Sequence, residues 1–283
     1  MDEAAERGTT NRTYALGLAR ASGGAIVFGL PLLMTMEMWW LGFYADPGRL
    51  MLFLLVNFAV LVGLSRFGGF ERTATVGEDV LDALAAYGVG IVTSAVTLAI
   101  FGILRADMPL AELAGKIAIQ SIPASFGAMI ARKQLSGGEG ESEGESEGRE
   151  ESRRSGYSAE LFLMMAGALF LAFNVAPTEE MILIAYVMTP WHAIALILFS
   201  VLLLEAFVYS VGFAGQEQSA GMPFIRRFLS MTIAGYGIAL LVSLYVLWTF
   251  GRTEGAGLVQ IAEMTAVLGF PAAIGAAIAR LVV

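Results

Sequence analysis

The sequence predicts an all-α membrane protein of about eight transmembrane helices, laid out as two parallel four-helix repeats. Three observations predict it. The 283-residue chain is 57% hydrophobic and only 15% charged, with a mean hydropathy of +0.71, which is far more apolar than a soluble globular domain. Its apolar runs last about twenty residues, the length that crosses a hydrocarbon core, whereas buried strands of soluble enzymes stop at four to eight. Finally, uncommon residue types of the first half return at matching places in the second.

Taken in order, residues 1–21 form a polar tail that carries Arg7, Arg12 and Arg20 but also Asp2, Glu3 and Glu6. No short apolar core with a small-residue cleavage site follows, so the tail is expected to be retained in the cytoplasm. The first repeat, residues 22–135, holds spans near Ser22–Phe43, Arg49–Phe67, Ala83–Leu104 and Leu110–Ala131. Residues 136–158 then form an acidic Gly/Ser/Glu linker with no apolar side chain in its core to bury. Such a stretch cannot offset the entropy of ordering it and reads as a disordered tether. Its Ser136–Gly156 segment carries seven Glu and three Arg, half of the formal net charge of -8, so the acidity is largely a linker property. The second repeat, residues 159–283, holds spans near Leu161–Tyr186, Pro190–Phe213, Phe228–Phe250 and Leu258–Leu281.

Basic residues set the orientation, because cytoplasmic loops retain Lys and Arg. Thirteen of them, from Arg7 through Arg66, Lys133 and Arg226 to Arg280, fall on one side of this layout, while Arg49, Arg105 and Arg252 fall on the other. Both termini and the linker are therefore expected in the cytoplasm of a bacterial cell, with the chain in the inner membrane.

The duplication is read from the residues directly. At a shift of 143, Gly24, Thr35, Glu37, Met38 and Pro47 fall on Gly167, Thr178, Glu180, Met181 and Pro190. At 149, Tyr87-Gly88, Ser94 and Phe101-Gly102 fall on Tyr236-Gly237, Ser243 and Phe250-Gly251, and at 148 Pro123 and Gly127 fall on Pro271 and Gly275. Apolar helices match by chance, but aligned Pro, Gly, Glu and Tyr do not follow from composition. An even number of spans per copy makes the repeats parallel, one of the symmetries of secondary transporters.

The run Thr35-Met36-Glu37-Met38-Trp39-Trp40, the second Thr-x-Glu-Met and the eight spans together resemble a bacterial family of integral membrane proteins of unknown function. The resemblance covers both halves outside the linker and the termini. It implies a membrane location and no activity.

Ionisable groups inside a span are costly and mark function or a partner. Glu37 and Glu180, equivalent under the repeat, are the leading candidates for an ion or proton site, together with Thr35, Thr178 and Glu179. Placed around one axis, the two carboxylates would draw a cation or a proton between them. Pro31 and Pro177 interrupt the same helix in each copy and free backbone carbonyls that could serve a cation or water. Lys116 and Glu263 occupy adjacent repeat positions and could pair, with Glu205 and Asn57 as further cavity candidates. Glu78 and Asp79 against Arg226 and Arg227 form a possible cytoplasmic gate. Each has a plainer reading as a helix-end charge, a snorkelling lysine or a packing kink. Gly88, Gly127, Gly237 and Gly275 read as points of close helix approach.

Cysteine is absent and His192 is the single histidine. A thiolate site, a histidine-based metal site and a His-dependent triad therefore lack parts, and any metal stays unspecified. No phosphate-cradling loop or basic aromatic patch occurs, so no enzyme activity, cofactor or nucleic-acid partner is expected. The expected partner is the lipid bilayer, with a small cation or proton as cargo. The sequence thus favours a small-ion transporter or channel with its path between the repeats. A non-transporting scaffold or sensor is the alternative.

Overall fold

The structure, a computed structural model, describes residues 2–67, 75–134, 157–215 and 224–282. These form α1 (Asp2–Leu33), α2 (Met36–Tyr44), α3 (Pro47–Phe67), α4 (Val76–Ile100) and α5 (Leu110–Gln134). Beyond the linker, which lies outside the described residues, come α6 (Tyr157–Val175), α7 (Glu179–Val187), α8 (Pro190–Gly215) and α9 (Phe224–Arg227). A π-helical stretch, Phe228–Ile233, leads into α10 (Ala234–Thr249), and α11 (Leu258–Val282) follows. Among the described residues, eight helical segments are long and apolar enough to cross a membrane: Ala15–Leu33, Pro47–Arg66, Val76–Ile100, Leu110–Ala131, Tyr157–Val175, Pro190–Phe207, Phe228–Thr249 and Leu258–Ala279. Large side chains such as Ile100, Leu202 and Leu241 stand exposed along them, as a lipid-facing surface requires and a water-facing one avoids.

Two of the expected spans are not continuous helices. Ser22–Phe43 breaks at Met34-Thr35, and Leu161–Tyr186 breaks at Ala176–Thr178. Apolar residues flank the first break closely, whereas at the second the run gives way to Pro177, Thr178, Glu179 and Glu180. Each break is stitched by its threonine: Thr35 Oγ1 donates to the Leu32 carbonyl at 2.8 Å, and Thr178 Oγ1 to that of Val175 at 2.8 Å. Such carbonyls at a helix end lack an i+4 donor, and here the threonine N–H, at 3.0 Å in each case, and its hydroxyl both serve them. Pro31, by contrast, lies inside α1.

The other helix ends follow from local chemistry. Pro47 opens α3 behind Asp46, whose Oδ1 accepts from the Arg49 N–H at 2.9 Å, a proline at the first helical position behind an acidic cap. Pro190 opens α8 in the same way. Here His192 reaches back, its Nδ1 2.8 Å from Thr189 Oγ1 and 3.3 Å from the Thr189 nitrogen, so the one histidine serves a helix start. Helices α4 and α10 both stop at a Phe-Gly pair. Gly102 and Gly251 adopt φ of 70° and 69°, and the following Ile103 and Arg252 N–H groups donate to Leu98 and Leu247 at 3.0 and 2.9 Å. That is the αL glycine stop that closes a helix on its own last carbonyls.

The described chain forms two compact units. The first comprises Met1–Tyr44 and Met51–Glu151, the second Ala45–Leu50 and Ser152–Val283. In the first, α5 is the central helix: α1, α2 and α4 pack on it, and 72% of its span is buried, against 33% for the spans of α1, α3 and α4. Glycines permit the approach. A Cβ on Gly24 or Gly127 would strike the backbone of the other, and one on Gly90 would lie 2.9 Å from the Ser125 nitrogen. In the second unit α11 takes the central place against α6, α7, α8 and α10, with Gly167 and Gly275 crossing just as closely. Gly88 and Gly237, also expected to mediate close approach, have nothing within 4 Å of where a Cβ would stand. Their spacing looks the same in sequence, but they sit on a face that meets no neighbouring helix.

Candidate functional site

Helix α5 is apolar in composition yet carries Glu112, Lys116, Gln120, Ser121 and Ser125 on its buried faces. The first three recur every four residues and so share one stripe. The two serines form a second stripe, and the set extends over about 20 Å of helix. Lys116 is 6% exposed and Gln120 3%. Burial at this level is expensive for polar groups in a lipid-embedded bundle unless each finds a partner.

Partners are present. Lys116 Nζ lies 2.7 Å from Glu112 Oε1, with side-chain exposures of 7% and 17%, and 3.9 Å from Met108 Sδ. Gln120 Nε2 donates to the Gly29 carbonyl of α1 at 2.8 Å. Ser121 and Ser125 donate to the Ala118 and Ile122 carbonyls at 2.7 Å, and Asn57 Nδ2 of α3 donates to Ser125 Oγ at 3.3 Å. Nearby, Tyr87 of α4 donates to the Leu54 carbonyl of α3 at 3.2 Å. Two helices, α1 and α3, thus bring polar groups to α5, and a row of donors and acceptors threads an otherwise apolar unit.

Of the residues singled out by sequence, Asn57 and Lys116 belong to this row. Lys116 takes its partner from its own helix, one turn away, and Glu263 stands half-buried on α11. Glu37 is the second residue of α2 and half-buried, and Glu179 and Glu180 open α7 and are exposed. Carboxylates in a first turn complement the helix dipole. Ala15–Leu33 has 19 residues, about 28 Å of helix, and Glu37 follows it on α2, beyond the Met34-Thr35 break. Thr35 and Thr178 precede the short helices, with their hydroxyl protons given to the preceding carbonyls. The carbonyl of Pro177 itself accepts from Arg252 Nη2 at 2.6 Å.

Asp79 is buried on α4, and its Oδ2 lies 3.5 Å from Arg66 Nη1 of the same unit. Glu78 and Arg226 are exposed, and the Glu78 N–H donates to Thr75 Oγ1 at 3.4 Å. The side chain of Arg227 lies outside the described residues. In the second unit Glu205 accepts a short hydrogen bond from Thr232 Oγ1 in the π-helical stretch, and Tyr157 donates to the Ser230 carbonyl there at 2.7 Å. Also in that unit Arg49 meets Glu254 at 2.6 Å and the Trp248 carbonyl at 3.0 Å, its guanidinium 4.8 Å from the Trp248 ring centroid.

Sequence reasoning missed Glu112, Gln120, Ser121 and Ser125. The signal was available: three polar residues at intervals of four within an apolar run place one polar stripe on a helix. Thr232 gave no such signal. Among the described residues no group of three or more acidic or histidine side chains could hold a metal ion.

Eight membrane-crossing helices with exposed apolar surfaces define a multi-pass integral membrane protein, embedded in a lipid bilayer. The chain belongs to the family described as "Putative integral membrane protein (DUF2391)", which matches residues 17–283. No curated protein and no solved structure matches it.

Proposed function

We propose that this protein is a transporter or channel for a small ion, a cation or a proton-coupled species, and that the polar row of α5 belongs to its route. One observation carries the reading: a Lys-Glu pair and a run of amide and hydroxyl groups are concentrated on the most buried span of the first unit. Intramembrane ionisable groups facing a bundle interior characteristically mark ion or proton pathways. We further propose that the two halves are duplicated four-span repeats, a reading supported by the shared threonine-stitched breaks and Phe-Gly helix stops. Under that alignment Glu112, Lys116, Gln120, Ser121 and Ser125 meet Gln260, Met264, Leu268, Gly269 and Ala273. The copies would then have diverged, with ion handling concentrated in the first. Neither the row nor the duplication calls for an enzyme activity.

Ion flux into proteoliposomes tests the function. Vesicles with the native protein should pass protons, Na+ or K+ above the rate of empty vesicles. The charge-free double variant Glu112→Gln/Lys116→Met should fall to the empty-vesicle rate. A Glu37→Gln/Glu180→Gln variant tests the alternative carboxylate site in the same assay. Native vesicles indistinguishable from empty ones for all three ions would favour the scaffold reading. Orientation is tested separately: reporters fused after Gly148 and at the C-terminus should report cytoplasm, and those near Asp46 and Asp107 the opposite side.

A further inference from the structure

We propose that a single water molecule occupies a small cavity between α1, α4 and α5, held by Gln120 Oε1, Ser94 Oγ and Thr97 Oγ1. The cavity has a volume of about 10 Å³ and is lined by Gly29, Leu33, Thr93, Ser94, Thr97 and Gln120 among others. That is the space one water requires, provided polar partners surround it.

Two buried atoms at this place have no protein partner. Gln120 Oε1 and Ser94 Oγ are both left without a hydrogen bond, in residues 3% and 2% exposed. The amide orientation is fixed by chemistry, because the Gly29 carbonyl can only accept and so selects the Gln120 nitrogen at 2.8 Å. The amide oxygen is thereby left needing a donor. Serines in membrane helices commonly give their proton to the carbonyl one turn back, as Ser200 does to Leu196 and Ser243 to Ala239, each at 2.7 Å. Ser94 does not. Its proton remains available on the wall of the cavity that Gln120 also lines.

A water at this point closes the set. It donates to Gln120 Oε1, accepts from the Ser94 hydroxyl, and donates its second proton to Thr97 Oγ1. The Thr97 hydroxyl has already given its own proton to the Thr93 carbonyl at 2.6 Å and retains accepting lone pairs. Three bonds are the usual complement of a buried water. A hard cation would need six or more oxygens, and no carboxylate lines the cavity. Left dry, each unsatisfied group would bear the full cost of desolvation with no bulk water to relieve it.

The water site does not depend on ion movement, so its test reads hydration rather than flux. In synchrotron hydroxyl-radical footprinting of the full-length protein in nanodiscs, radicals arise from bound water and oxidise the side chains beside it. Leu33 lines the cavity and is 1% exposed, while Leu32 is 0% exposed and does not line it. Leu33 should oxidise several-fold faster than Leu32 in the native protein. That excess should disappear in Ser94→Ala/Gln120→Met, or in Ser94→Ala alone if the double variant does not fold. Equal, slow oxidation of the two leucines in the native protein overturns the proposal. So does a Leu33 excess that survives unchanged in a folded variant.

Discussion

Replacing Glu112 by Leu should destabilise the protein by about 3–5 kcal/mol, the cost of leaving one member of a buried ion pair without its counter-charge. Lys116 is the more deeply buried partner, at 7% side-chain exposure against 17% for Glu112. Its Met108 sulfur contact at 3.9 Å is a poor substitute for a carboxylate. Lys116→Met should cost less, because the Glu112 carboxylate left behind reaches more solvent. The double variant Glu112→Leu/Lys116→Met should recover most of the loss, since a well-packed apolar pair often matches a buried salt bridge. Thermal unfolding of the purified protein in one detergent gives all four values for a double-mutant cycle. Additive single effects would mean that the pair is not coupled.

The second large effect lies at the helix crossings. Gly127→Ala would drive a Cβ into the Gly24 carbonyl, and Gly275→Ala would do the same to Gly167. The obstacle is backbone rather than the far end of a side chain, so the helices themselves would have to separate. A loss of about 3 kcal/mol or failure to assemble is expected for each, at the upper end of overpacking costs. Gly88→Ala and Gly237→Ala, with open space at the new Cβ, should instead be neutral or stabilising by up to about 1 kcal/mol through helix propensity. Detergent-resistant yield and melting temperature of the four variants separate the two classes. Equal behaviour would remove the close-contact argument.

The contrast between these glycines shows where the sequence stops being informative. Gly88 and Gly127 look alike in an apolar run, and only knowledge of which face meets a neighbour separates them. Span number was legible because a run of about twenty apolar residues has no other common explanation. The breaks were legible only in part: Pro177 marked the second, but Pro31 lies inside α1, and Met34 and Met36 around Thr35 keep the first apolar while the hydrogen-bond ladder stops. Lys116 shows a local signal passed over. Its partner Glu112 lay one helical turn away, but alignment of the two halves drew attention to Glu263. The Gln120-Ser94 cavity was beyond reach altogether, because sequence cannot say which serine turns from its own helix.

The π-helical stretch Phe228–Ile233 bears on how the seventh span transmits angular position. A π turn is an α-helix carrying one surplus residue, and one residue advances a helix by about 100°. The segment on its N-terminal side is therefore out of phase with α10 by that amount, although the two run on as a single rod. Packing of α10 around Tyr236, Ala239 and Ser243, all buried, therefore sets the azimuth at which Arg226 emerges from α9 only after that offset of about 100° is added. Substitutions on the two sides of Phe228–Ile233 consequently belong to separate angular frames, and a helical wheel drawn through the whole span would place one set of side chains on the wrong face.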